Sequence, residues 1–447
     1  MTTSATCWKA AAVGEDADLA AEHLAAIKRS LLDRLLDSRA RESVVATMPA
    51  VEALLDRARQ AADREVELAT SPIDLAVEHF RDAVNHQPAA VRKSLQTHTR
   101  ALAATCQQSV SGAMRNAQTV PFETVIVDEA ARANPLDLMV PLSMAQERII
   151  LVGDHRQLPQ LLDESLVPNL SKRHDEMTVS TVLNKSMFER LYVKLRENER
   201  LDGTKRVITL DRQFRTHPVL GTFINEQFYE PFGEQLGNAN PDPQAFSHGL
   251  ETYGTAACGW IDVPPAHGSE KRAGTSICRP AEAETIVREL SSGLQACAHL
   301  TFGVITFYSG QVTAIWEAMM DAGLASRSLS AAGGNGFELN PSVPWLHSER
   351  GLPRVRIGSV DAFQGREFDV VYLSTTRSSK PGKRSANRFG FLVLPNRLCV
   401  AMSRQRKLLV AVGDAAQMTS PEGREAVPAL AAFYDLTGGD HGFRRLA

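Results

Sequence analysis

TVIVDEA (124–130) and RIILVGDHRQLPQL (148–161) decide the architecture. Each is an apolar, β-branched run that stops abruptly in polar residues, Asp128 and Glu129 in the first, Gly153, Asp154 and Gln157 in the second. A parallel strand covered by helices on both faces has this pattern, with its functional loop at the carboxyl end. Working outward, ALAATC (101–106), RVITLD (206–211), GVITFY (303–308), VRIGSV (355–360), VVYLSTT (370–376) and LLVAVGD (408–414) repeat the device. Helical or loop segments separate them, and such alternation specifies an α/β fold.

Residues 17 to about 100 differ. LAAEHLAAIKRSLLDRLLDSRARES and VEALLDRARQAADREVELA carry apolar residues at helical spacing, with Glu and Arg opposite. In SPIDLAVEHFRDAVNH (71–86), Ser71 suits an N-cap, Pro72 the first turn and Asp74 the third position. A charged break around 195–206, with Gly203, divides the α/β portion. The expected domains are a helical stalk at 1–97, a partial α/β domain at 98–205, a second at 206–425 and a tail at 426–447. The stretches 233–285 and 325–352, rich in Gly, Pro and Asn, are expected to be irregular insertions.

Composition narrows the function classes. With 447 residues, 43% of them apolar, the chain has ample material for a core. No apolar run approaches the roughly 18 residues needed to cross a bilayer, and the acidic start does not resemble a signal peptide. The six cysteines are scattered without a CxxC pair, which opposes a zinc knuckle or a disulfide scaffold and points to the reducing cytoplasm. A net charge of −3 supplies no general attraction for nucleic acid, although a groove can still be basic on a neutral protein.

The chemistry-bearing residues lie at strand ends. One carboxylate of Asp128–Glu129 can hold Mg²⁺ while its neighbour orients and deprotonates a water. Gln157 can hydrogen-bond a water or terminal phosphate without changing charge. VDEA followed by GDHRQLP resembles the second and third motifs of superfamily-one helicases, in the branch of the nonsense-mediated-decay helicase. Six further stretches agree in the family's order: ATCQQSV (104–110), NKSMFERL (184–191), LDRQFRTHP (210–218), GVITFYSGQV (303–312), VDAFQGREFDVVYLSTTRS (360–378) and NRLCVAMSRQR (396–406). The resemblance spans about residues 100–415.

That resemblance implies two RecA-like parallel-sheet domains behind the stalk, the first incomplete, with ATP and Mg²⁺ between them. Asp128 would serve the metal and Glu129 the water, while Gln157 would sense the terminal phosphate. Arg215 and Arg404 would act as arginine fingers. Phe214 would stack on adenine, and Gln213, Gly365 and Glu367 would face the nucleotide. Arg397 and Arg404, seven apart, are expected on one helical face. Thr105, Ser374 and Thr376 would touch single-stranded DNA or RNA.

The family's phosphate loop, G-x-x-x-x-G-K-[ST], is absent from this sequence. Its one Gly-Lys, Gly382-Lys383 in SKPGKRSANRFGF, has no preceding glycine at the right spacing. The chain therefore reads as a carboxyl-terminal portion of an ATP-dependent helicase or translocase, inactive alone, with an upstream chain as a candidate donor of the loop. The competing reading is a non-hydrolysing module that binds nucleic acid or a partner protein.

Overall fold

The computed structural model describes residues 25–30, 53, 56–62, 64, 71–118, 121–158, 186–328, 336–379 and 388–447. Two compact units divide at Leu102/Ala103. In the first, the described residues up to His98 are helical apart from Ser71 and Gln87. Helix α1 (Pro72–His86) starts as its sequence predicts, with the Ser71 side chain accepting from the Asp74 N–H at 3.2 Å. Pro88 disfavours helical backbone at Gln87 and so separates α1 from α2 (Pro88–His98). The rest of the two longer stalk stretches lies largely outside the described residues.

The second unit is built around two parallel sheets and also holds a two-residue parallel pair, Arg212–Gln213 with Gly237–Asn238. Strands β1 (Phe122–Val127) and β2 (Ala145–Leu151), with α3 (Pro135–Leu142) between them, pair in parallel and, among the described residues, only with each other. Helix α4 (Met187–Asp202) follows, capped by Ser186 and ended by Gly203 in the left-handed conformation.

The second sheet has six parallel strands: β3 (Cys258–Asp262), β4 (Phe302–Thr306), β5 (Val355–Ser359), β6 (Phe368–Ser374), β7 (Gln405–Gly413) and β8 (Gly442–Leu446). Their spatial order is β5-β4-β6-β7-β3-β8. The period of two sends successive side chains to opposite faces. Val371, Leu373, Leu409 and Ala411 join one core with helices α5 (Pro218–Phe228), α8 (Pro395–Ala401) and α9 (Pro428–Leu436). Val370, Tyr372, Leu408, Val410 and Val412 join the other with α6 (Pro280–Ala296) and α7 (Ser309–Asp321). Burial on both faces explains why these strands read as continuous apolar runs.

Several local expectations are corrected. ALAATC is irregular and leads into a turn. RVITLD is also outside any strand, with Ile208 and Leu210 exposed; without a neighbour to pair, β-propensity did not prevail. The stretch 233–285 is more than an insertion, since it supplies β3, an interior strand whose Trp260 and Ile261 are fully buried. Likewise, 325–352 contains an antiparallel pair, Ala325–Arg327 with Phe337–Leu339. The last segment is built into the fold through α9 and the edge strand β8. Among the described residues, no helix is long and apolar enough to cross a membrane.

Candidate nucleotide-facing site

The loop after β1 is strained where its chemistry sits. Glu129 adopts φ 53°, a left-handed conformation that costs an ordinary residue about 1–2 kcal/mol. Its N–H is tied to the Asp128 carboxylate at 2.9 Å, and the Ala130 N–H donates to the Val152 carbonyl at 2.8 Å. Gly153 makes this approach possible: a Cβ there would lie 2.9 Å from the Ala131 nitrogen. Asp128 and Glu129 are both exposed at the strand end.

The second sheet brings partners to Glu129. Gln364, ahead of β6, donates Nε2–H to the Glu129 carboxylate at 2.8 Å. Its own Oε1 is buried without a hydrogen-bond partner, a site prepared for a donor. Gly365 follows with φ 71° and open space where a Cβ would be. Arg215 donates Nε–H to Glu367 at 2.7 Å, and Arg406 pairs with the other Glu367 oxygen. Burial holds the Arg215 guanidinium below its ordinary value, opposed by the negative charge of Glu129.

Arg404 is the deepest cation here, only 3% exposed. Burial first, then the charge of Arg215, pulls it down to about 10, against the attraction of Cys399 and Glu129. Its Nη2–H donates to Gln157 Oε1 at 3.2 Å, and its Nε–H to the Val400 carbonyl. Arg404 does not share a helical face with Arg397, because α8 ends at Ala401 and Arg404 lies in the turn entering β7. Arg397 instead approaches Asp361 at 3.6 Å and covers the Phe391 ring.

The other anticipated residues divide into two groups. Gln213 spends its carboxamide on its own turn, accepting from the Arg215 and Thr216 N–H groups at 2.9 and 2.7 Å, which places Arg215. Phe214 is 79% exposed, with its ring offered to solvent beside that turn. Thr105 is exposed in the loop before Gly112, with its hydroxyl accepting from the Gln108 N–H.

Ser374 and Thr376 are fully buried. Ser374 Oγ–H and Thr376 N–H both donate to Glu282 Oε2, at 2.7 and 2.8 Å, and Arg279 holds the other Glu282 oxygen at 2.9 Å. Thr376 has φ 65°, rare for a β-branched residue. As they lie, these hydroxyls secure the loop after β6 and present nothing to solvent. Burial pushes the Glu282 carboxyl up against the pull of Arg279.

Sequence reasoning passed over Tyr229, Glu234, Glu282, Asn396 and Arg406. Asn396 and Arg406 bound the motif stretch 396–406, whereas no local motif marks Tyr229, Glu234 or Glu282, which only the tertiary fold places.

Comparison with known proteins identifies the family. Residues 183–416 match a family profile described as an AAA domain, and residues 10–163 match a second profile with the same description. The chain belongs to this AAA-domain family, within the superfamily-one helicases of the nonsense-mediated-decay type. It is 28% identical over 335 residues to the "ATP-dependent helicase upf1" of Schizosaccharomyces pombe, covering 73% of this chain and 30% of that protein. It is 30% identical over 301 residues to the "Regulator of nonsense transcripts 1" of Dictyostelium discoideum, covering 66% of this chain and 18% of that protein. The chain thus spans less than a third of the length of either relative. A solved arterivirus nonstructural protein 10 (helicase) overlays 68% of this chain and 40% of its own at 15% identity, with a TM-score of 0.27.

Proposed function

We propose that this chain is the part of an ATP-dependent nucleic-acid helicase or translocase that supplies the acidic pair and the arginines to a nucleotide site. One observation carries the reading. Arg215 and Arg404, from the segments beside the six-stranded sheet, are set against Glu129 and Gln157 at the ends of β1 and β2. Arg404, buried and depressed by the neighbouring Arg215 charge, donates its hydrogen bonds to neutral oxygens of Val400, Gln157 and Ser403 and is short of negative charge. A polyphosphate supplies it.

The residues fit ATP with Mg²⁺. Asp128 would hold the metal, and the exposed Phe214 ring, Gly365 and the unpartnered Gln364 Oε1 would face the nucleotide. Bound Mg²⁺ would neutralise phosphate charge. Among the described residues no cluster of three or more His, Cys, Asp or Glu would hold a metal unaided. A single carboxylate plus phosphate oxygens is the usual Mg²⁺ arrangement. Glu129 would orient and deprotonate water, and Arg215 and Arg404 would stabilise charge on the transferring phosphoryl group.

Opening and closing of the two sheets around the nucleotide would move a single strand of DNA or RNA, gripped chiefly by its backbone. The five cysteines among the described residues are free, in keeping with a cytoplasmic site of action. A phosphate loop, absent from this sequence, would come from an upstream chain. The test is ATP hydrolysis with single-stranded nucleic acid, comparing the chain with its Glu129→Gln and Arg404→Ala variants, with and without a separate polypeptide bearing G-x-x-x-x-G-K-[ST]. Turnover that needs the added loop, Glu129 and Arg404 is expected.

A further inference from the structure

Gln157 was expected to reach a phosphate, yet its carboxamide is fixed with the oxygen toward Arg404 and the nitrogen toward Asp154. Something must choose that orientation, since the flipped amide would set N–H groups against the N–H groups of Arg404. Asp154 makes the choice locally. Its Oδ1 accepts from the Arg156 N–H at 2.9 Å, and its Oδ2 accepts from Gln157 Nε2–H at 2.9 Å. A second donor reaches Oδ2 from the far side of the site: the Tyr229 hydroxyl, at 2.5 Å.

Tyr229 ends α5, on the six-stranded side, and burial pushes its phenol far up, so it remains a proton donor. The surrounding contacts hold the same loop in place. Arg156 makes a two-pronged bond to Glu234 at 2.8 and 3.2 Å and lies 3.7 Å over the Phe232 ring. Asn396 Nδ2–H donates to the Gln157 carbonyl at 2.8 Å.

We propose that Tyr229 is a positioning residue that, through Asp154, sets the orientation of the Gln157 side chain and so keeps its oxygen as the acceptor for Arg404. The chain Tyr229–Asp154–Gln157–Arg404 links α5 to the finger arginine by way of the loop after β2. Without the Tyr229 O–H, Asp154 Oδ2 loses its second donor, the carboxylate is held only by the Arg156 N–H and Gln157 itself, and the Gln157 amide is less firmly oriented. The role of Gln157 in phosphoryl transfer rests on the function proposed above; its orientation by Tyr229 does not.

The test needs no nucleotide. The full chain is labelled with ¹⁵N-glutamine, and the Gln157 side-chain amide pair is assigned by its loss in Gln157→Glu. Tyr229→Phe is expected to shift that pair and speed its exchange with water, while the Gln213 and Gln311 side-chain pairs, held by other partners, stay in place. Asp154→Ala is expected to shift it at least as far, and the double variant to match Asp154→Ala alone. A Gln157 pair unmoved by Tyr229→Phe, additive shifts in the double variant, or displacement of the Gln213 and Gln311 pairs as well would overturn the assignment. Absence of ATP turnover even with the phosphate-loop polypeptide supplied would count against the proposed function and leave this result standing.

Discussion

Replacing Glu282 by alanine probes the most deeply buried charge network among the described residues. Arg279 and Glu282 are both wholly inaccessible, paired at 2.9 Å. Removing the carboxylate strands the Arg279 Nη1–H, the Ser374 hydroxyl and the Thr376 N–H together. Breaking a buried pair by deleting one partner costs about 3–5 kcal/mol, mostly through the charge left behind. Thr376 adds to this, because its left-handed backbone is held by the lost bond. For the compact unit Ala103–Ala447 each kcal/mol moves Tm by roughly 1.4 °C, so a fall of about 4–7 °C is expected. Thermal and urea unfolding of the two full-length proteins measure it. Glu282→Gln, which keeps an acceptor oxygen, should fall between them. A loss below about 1 kcal/mol in Glu282→Ala would refute the reasoning, since the network would then have no hold on the loop after β6.

Burial, with His441 and His248 nearby, holds His217 down to about 4 from its ordinary 6.5. The unfolded chain therefore takes up this proton first, and stability present above pH 6.5 is lost as pH falls toward 4, by up to about 3 kcal/mol. His217→Asn, which keeps an N-cap acceptor for the Val219 N–H, should flatten the profile across that window; parallel curves would argue against the assignment. Glu129→Gly should leave stability unchanged or raise it by up to about 1 kcal/mol, because glycine accepts φ 53° freely, whereas Glu129→Val should lower it; equal losses in both would deny the strain. Single-strand binding by the full chain should be micromolar or weaker, indifferent to sequence and reduced by salt, in titrations of oligo-dT and oligo-U at two salt concentrations.

Much of the architecture was legible because long apolar runs announce parallel strands, although the double coverage such runs imply holds in the six-stranded sheet and not in β1 and β2, where Ile126, Ile149 and Ile150 stay exposed. Five of the eight labelled strands, β1, β2, β4, β6 and β7, contain long apolar runs whose polar ends carry the motif residues. β5 was legible as well, through VRIGSV. β3 escaped because CGWID is short, includes Gly259 and is embedded in Gly- and Pro-rich sequence. It owes its place to the backbone of β7 and to the Phe443 ring of β8, which occupies the space a Cβ on Gly259 would fill. RVITLD shows the reverse case, strong propensity without a neighbour. At the site, motif order located Glu129, Gln157, Arg215 and Arg404. Tyr229, which reaches Gln157 through Asp154, and Glu282, which holds the loop after β6, carry no local pattern, since each acts on a segment at least 75 residues away. Ser374 and Thr376 were legible as important but not as buried, because the carboxylate they serve lies on another helix.

The most direct measurement is ATP turnover in the presence of single-stranded nucleic acid, by the full chain alone and with a separately supplied phosphate-loop polypeptide. Little hydrolysis by the chain alone is predicted, since the β- and γ-phosphates would lack their main compensation. Turnover should appear on adding the loop and disappear again in Glu129→Gln. Robust hydrolysis without the loop, or hydrolysis indifferent to Glu129→Gln, would contradict the account.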